Sequence, residues 1–120
     1  MSEKQNSKQY DLEPRTLQFA KNIRKFVKEL PKSVSNFEDI KQLVRSSGSV
    51  GANYIEANEA LSKKDFVMRI KISRKEAKES IYWLNLIELR DDLQENERML
   101  LIKEATELMK IFGAILEKSK

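Results

Sequence analysis

The sequence predicts an all-α fold, an antiparallel up-down-up-down four-helix bundle, and three observations favour it. Apolar residues recur at the three- and four-residue spacing of amphipathic helices along most of the chain. Glycine and proline, which most often interrupt helices, number only 3 and 2. No segment alternates apolar and polar residues as a strand does, and the polar connections are short. Short connections make consecutive helices antiparallel neighbours.

Breaks in the apolar pattern predict a flexible polar tail over residues 1–12 and one bundle domain over residues 13–120. The first helix is predicted over about 14–30. Pro14 suits the first turn of a helix, where its missing N–H would have no partner. Pro31 ends this helix, because the residue before a proline is disfavoured in the α conformation.

Capping patterns predict where the remaining helices begin. Asn36 is the predicted N-cap of a second helix over about 37–61, because its side chain can accept from the next free N–H groups. Ser62 begins a capping-box-like sequence and predicts a third helix over about 63–90. A polar connection then precedes a fourth amphipathic helix over about 96–118.

The composition excludes most enzyme chemistries. The chain has no Cys and no His, which removes disulfides, thiolate nucleophiles, Cys-based zinc sites and Ser-His-Asp catalysis. Glu56 and Glu76 lie among apolar residues, but their spacing fits no metal site, and pairing with Arg45, Arg69 or Arg74 is the favoured interpretation. We therefore expect no enzymatic activity, no cofactor and no metal. No membrane span or secretory signal is recognisable, so we expect a cytoplasmic protein without a membrane partner.

Small residues interrupt the second predicted helix over residues 46–52. Ser47 and Gly51 fall on its core face, which predicts close packing between helices. A phosphate-binding loop is disfavoured, because no strand precedes this segment and no suitably spaced Lys follows it. The opposite face is small in its middle, charged at its margins, and could contact either another subunit or solvent. It comprises Arg45, Ser49, Ala52, Glu56 and Glu59.

The third helix carries the net charge of the chain. From Ser62 to Tyr82 there are seven basic and three acidic residues, an excess equal to the +4 of the whole protein. Such a strip can neutralise phosphates, although helical lysines often only face solvent. The candidate nucleic-acid contacts are Lys64, Arg69, Lys71, Arg74, Lys75 and Lys78.

The outer strip of this helix becomes apolar after its basic half. Its large side chains predict either a surface for self-association or a broad core within one bundle. Self-association is the favoured interpretation. The predicted oligomer interface is completed by the outer face of the second helix and comprises Ser49, Ala52, Glu56, Tyr82, Leu86 and Leu89.

Two blocks, Gln42–Ala57 and Asp65–Leu84, resemble in order the signature of the 23S rRNA-intervening-sequence proteins, also called S23 ribosomal proteins. The resemblance implies a left-handed up-down bundle of bacterial origin that assembles into a ring-like homo-oligomer, a pentamer. It also implies kinship with the accessory variability determinant of diversity-generating retroelements, whose basic surface engages nucleic acid. The resemblance transfers no catalytic residue.

Three hypotheses about function follow. The leading one is a non-enzymatic homo-oligomer that binds RNA or DNA through the basic strip of the third helix. The second is a protein–protein adaptor or scaffold whose lysines only maintain solubility. The third, a metal-dependent enzyme that uses carboxylates alone, is the least favoured because the sequence has no ligand spacing to support it.

Overall fold

The computed structural model describes the backbone of residues 3–120 and the side chains of residues 11–120. Within that part of the chain it contains four helices and no strand. The helices are α1 (Glu3–Val27), α2 (Val34–Asn58), α3 (Lys63–Leu86) and α4 (Asp92–Lys118). Consecutive helices pack against each other and α1 packs against α4, the neighbour order of a four-helix bundle. The predicted all-α fold is confirmed, while the left-handed twist stays a prediction.

The first helix begins at Glu3, so the predicted start at Pro14 is wrong and Pro14 lies inside the helix. Leu12 is buried with only 6% exposure, and it continues the core-facing stripe of α1 by one more turn. Thr16 donates from its hydroxyl to the carbonyl of Leu12 at 2.7 Å. Burial of Leu12 therefore favours a helix on both sides of the proline. Residues 1 and 2 of the predicted tail lie outside the described residues, and the flexibility of the tail stays a prediction.

The start of α2 differs from the predicted one because a buried amide has another role. Ser33 is the N-cap, and its hydroxyl accepts from the N–H of Asn36 at 3.1 Å. The side chain of Asn36 donates to the carbonyls of Pro31 and Glu88 and accepts from the N–H of Glu88 at 3.0 Å. Asn36 thus joins the α1–α2 and α3–α4 connections at one end of the bundle, as an up-down-up-down order requires.

The other helix ends follow similar local rules. Ser62 caps α3 as predicted and accepts from the N–H of Asp65 at 3.1 Å. Helix α4 begins at Asp92 rather than near residue 96, because Asp91 caps it by accepting from the N–H of Gln94 at 3.0 Å. Gln94 is buried, and its amide donates to the carbonyl of Glu29. The side-chain amides of Asn36 and Gln94 therefore link the α1–α2 and α3–α4 connections at this end of the bundle. The predicted C-terminal ends of the first three helices are each a few residues too late.

The core lies along the common axis of the helices and combines large apolar side chains with small polar ones. Ser46 and Ser80 share a buried hydrogen bond of 2.8 Å between α2 and α3. A Cβ added at Gly51 would lie 2.7 Å from the hydroxyl oxygen of Thr16, so the predicted close packing of α2 is found against α1. The largest fully buried apolar side chains are Phe19, Ile23, Leu43, Ile70, Leu84, Leu108 and Phe112.

Candidate nucleic-acid interface

A cationic cleft runs between α3 and α4, and we call it the basic groove. It is a shallow, open depression with a volume of about 500 Å³. Five of the seven residues that line it are cationic and none is acidic, so its charge is of one sign. The lining residues are Lys71, Arg74, Lys75 and Lys78 of α3 with Met109, Lys110 and Gly113 of α4.

The helical repeat places these cations on one side of α3. Lys71, Lys75 and Lys78 follow a spacing of four and three residues, which returns to the same helix face. Ser73 and Ala77 are fully buried on the other side and fix the rotation of the helix. Because Ser73 and Ala77 face the core, the three lysines lie on the exposed surface of the bundle.

The acidic residues of α3 lie outside the basic groove. Arg45 of α2 is 3.1 Å from a carboxylate oxygen of Glu76 and 3.2 Å from one of Glu79. The hydrogen bonds that Arg45 donates to Glu76 raise the pKa of Arg45, against an opposing effect of burial. The third acid, Asp65, lines a different cavity. None of the three acidic residues of α3 therefore lines the basic groove. Glu76 and Glu79 pair with Arg45 of α2, and Asp65 lies near the start of α3.

Four of the six predicted nucleic-acid residues meet in the basic groove, and two do not. Lys64 is exposed at the start of α3 but does not line the cavity. Arg69 points toward α2 and donates to the amide oxygen of Asn53 at 3.1 Å. It lines a smaller cavity of about 130 Å³ together with Asp65, Glu56 and other residues near the α2–α3 connection. Arg69 therefore belongs to a mixed-charge neighbourhood.

Sequence reasoning missed the contribution of α4 to the groove. Lys110 adds a fifth cation, Met109 adds an apolar surface and Gly113 adds a stretch of bare backbone. The sequence does indicate that Lys110 faces solvent, because it is a charged residue midway between the apolar Leu108 and Phe112, which are buried. A one-helix pattern does not show which neighbouring helix shares that outward face.

The predicted oligomer interface is exposed in part. Tyr82 is 60% and Leu86 is 48% exposed, and the Tyr82 ring contacts Trp83 edge-on with centroids 5.0 Å apart. Leu89, in contrast, is partly buried against the core. On α2, Ala52 and Glu56 are exposed, whereas Ser49 is half-buried and bonded to the amide of Asn53. The large apolar side chains of the predicted interface that remain exposed are therefore Tyr82 and Leu86, at the end of α3.

Two further features bear on function. No helix in the described part of the chain is both long enough and apolar enough to cross a membrane. Among residues whose side chains are described, no three or more acidic, Cys or His groups are arranged to hold a metal ion.

The fold and the groove define a small helical-bundle protein with a localised cationic surface. The family model for the 23S rRNA-intervening sequence protein matches residues 8–114, and the chain belongs to that family. The family resemblance identified from the sequence is therefore confirmed.

A solved structure supports the same assignment. The chain is similar to a protein of unknown function from the S23 ribosomal protein family of Bacteroides thetaiotaomicron VPI-5482, with 32% identity and a TM-score of 0.77. The similarity covers 92% of this chain and 98% of that one. No curated protein matches the chain. The family name thus fixes ancestry and fold, and the function of the related structure is itself unknown.

Proposed function

We propose that this protein is a non-enzymatic bundle that binds RNA or DNA through the basic groove. The observation that carries the proposal is the grouping of five cations from two helices around one cavity without an acidic lining residue. A groove of this kind can follow a phosphate backbone, because several cations contact successive phosphates while releasing their counterions. The expected binding is therefore independent of sequence and sensitive to salt.

The number of cations sets the expected salt dependence. If all five groove cations neutralise phosphates, the logarithm of the association constant should fall with the logarithm of salt concentration with a slope of about −4.5 for duplex DNA. For a single strand the corresponding slope is about −3.5. A gel-shift or fluorescence-anisotropy titration at several salt concentrations measures both values.

The sharpest test reverses three charges in the groove and three outside it. We expect the variant Lys71→Glu, Lys75→Glu, Lys78→Glu to abolish binding at low salt. The matched control Lys21→Glu, Lys25→Glu, Lys28→Glu makes the same change in net charge at exposed positions near the end of α1. Circular dichroism verifies that both variants fold.

Two results would contradict the proposal. The first is the absence of nucleic-acid binding by the wild-type protein at low salt. The second is an equal loss of affinity in the groove variant and the α1 control, because net charge alone would then explain the binding. The first result would favour the adaptor hypothesis, in which the lysines maintain solubility, whereas the second would assign the binding to net charge and not to the groove.

We further propose that copies of the chain associate through the outward surface of Tyr82 and Leu86. These two large apolar side chains are four residues apart on the same face of α3 and remain 60% and 48% exposed. The family resemblance implies a ring of five subunits, which would multiply the basic grooves in one particle. Association would also remove this apolar surface from water.

Light scattering tests the assembly proposal directly. We expect Leu86→Asp to yield a smaller species than the wild-type protein. Leu61→Asp is a matched control, because Leu61 is 99% exposed in the α2–α3 connection and lies away from the end of α3. A monomeric wild type, or an unchanged mass for Leu86→Asp, would refute the assignment of this surface.

A further inference from the structure

Gly113 lies within α4, well before the helix ends at Lys118. Glycine is unfavourable in a helix interior, because it loses more backbone freedom on folding than any other residue. A glycine at such a position therefore calls for a packing or functional explanation.

The packing of the chain itself supplies no explanation for Gly113. A Cβ added there would meet no atom within 4 Å, so an alanine would fit in open space. Gly51 is the opposite case, since a Cβ there would lie 2.7 Å from the hydroxyl oxygen of Thr16. The bundle needs a glycine at position 51 and does not need one at position 113.

The surroundings of Gly113 indicate what does approach it. Gly113 forms part of the wall of the basic groove, together with Lys110 of the same helix and four cations of α3. We infer that a phosphate of the bound nucleic acid rests against the bare α4 backbone at Gly113. This inference rests on the proposed function and adds a contact that determines affinity.

Without a side chain at Gly113, a phosphate can lie closer to the groove cations. A phosphate that lies directly on the helix backbone can come close to cations on both sides of the groove at once. The Coulomb attraction of a unit pair falls by about a fifth when the separation grows from 4 to 5 Å. If that phosphate lies between two cations, one on each helix, a methyl group that displaces it by about 1 Å in water should weaken binding about twofold.

A phosphate fits this position better than a second copy of the chain. Two copies that met groove to groove would bring ten groove cations together, and like charges repel, while the assembly surface proposed above lies at Tyr82 and Leu86. A phosphodiester backbone offers regularly spaced negative charges and is narrow enough to enter a cleft. The shared ligand chemistry is a chain of phosphates, and nucleic acid is its proposed source.

The test uses the full chain and the substitution Gly113→Ala. We expect the melting temperature to rise by about 4 °C, because alanine favours the helix and no atom obstructs it. At the same time we expect affinity for a nucleic-acid oligonucleotide at low salt to fall about twofold. A structural role for Gly113 would instead lower the melting temperature.

Gly48→Ala is the matched control. Gly48 lies inside α2, and a Cβ there would be at an ordinary distance of 3.8 Å from a guanidinium nitrogen of Arg24, away from the α3–α4 groove. This variant should show a similar rise in melting temperature with unchanged affinity. A difference in affinity between the two alanine variants therefore reports the groove and not the stability of the helix.

The possible failures are distinguishable. If the wild-type protein does not bind at low salt, the proposed function fails. If it binds and both alanine variants retain full affinity, only the role of Gly113 fails. A changed particle mass for Gly113→Ala in light scattering would instead place a second copy at this position. Tighter binding of inorganic polyphosphate than of the oligonucleotide would overturn nucleic acid as the source of the phosphates.

Discussion

The substitution Gly51→Ala tests the close approach of α1 and α2 at this position. The added methyl carbon would lie 2.7 Å from the hydroxyl oxygen and 3.1 Å from the Cβ of Thr16. That hydroxyl cannot easily move aside, because it is buried and donates to the carbonyl of Leu12 at 2.7 Å. The helices must therefore separate slightly, or Thr16 must give up its hydrogen bond.

The opposing contributions to the free energy of unfolding can be compared. Alanine in place of glycine in a helix interior stabilises by about 1 kcal/mol. Overpacking costs about 1–3 kcal/mol, and a lost hydrogen bond costs about 1 kcal/mol more. We therefore expect Gly51→Ala to destabilise the protein by about 1–3 kcal/mol. Gly48→Ala, whose Cβ meets only ordinary contacts, should stabilise it by up to about 1 kcal/mol.

Urea denaturation followed by circular dichroism measures both effects. The two variants should differ by about 2–4 kcal/mol, which corresponds to a separation of about 1 M or more between their unfolding midpoints. Combining Gly51→Ala with Thr16→Ala should cost less than the sum of the single changes, because the second substitution removes the obstructing hydroxyl. If Gly51→Ala stabilises the protein as much as Gly48→Ala does, the argument from close helix packing is wrong.

Three other predictions concern buried polar groups and a helix cap. Asn36→Ala removes the hydrogen bonds to Pro31 and Glu88 and should cost about 2–3 kcal/mol in urea denaturation, while an effect below 1 kcal/mol would contradict its role. Arg45→Met should destabilise more than Glu76→Gln, because Glu76 is only 5% exposed whereas Arg45 can face water; equal losses would contradict this. The pKa of Asp91 is lowered, first by its bond from the N–H of Gln94, so its contribution is present above the ordinary pKa and lost as pH falls through the lowered one. Asp91→Asn should therefore flatten acid unfolding below about pH 4, and an unchanged profile would count against the cap.

The sequence was sufficient to predict the fold class because helix periodicity is a local property. Leu43, Val50 and Tyr54 recur at helical spacing in α2 and are all buried, as are Ile70 and Leu84 in α3. Each of these positions is determined mainly by spacing along one helix. The number of helices follows from the same patterns, because polar connections separate them.

The helix starts show where local reasoning reaches its limit. Ser33 and Asn36 are both suitable N-caps, and their spacing alone does not choose between them. The choice depends on Glu88, whose backbone N–H and carbonyl both bond to the Asn36 side chain from another connection. A contact between residues so far apart in sequence follows from tertiary packing. For the same reason the burial of Leu12, which extends α1 beyond Pro14, could not be deduced from the first helix alone.

The candidate site was predictable in its α3 half. Lys71, Arg74, Lys75 and Lys78 share one side of a helix, and their spacing is enough to group them. Lys110 joins them only because α4 packs beside α3 in this register. Arg69 has the same charge, yet packing directs it toward Asn53 of α2. Spacing thus groups residues of one helix but does not assign the second wall of a groove.

The acidic residues of α3 are also placed by packing between helices. In an isolated α3 helix, Glu79 would lie four residues from Lys75 and could pair with it, which would weaken the cationic surface. In the bundle, Arg45 of α2 approaches Glu76 at 3.1 Å and Glu79 at 3.2 Å instead. Helix α2 therefore draws the acids of α3 to one side, and α4 adds a cation on the other. The basic groove is a property of three packed helices, although most of its charge comes from the sequence of one.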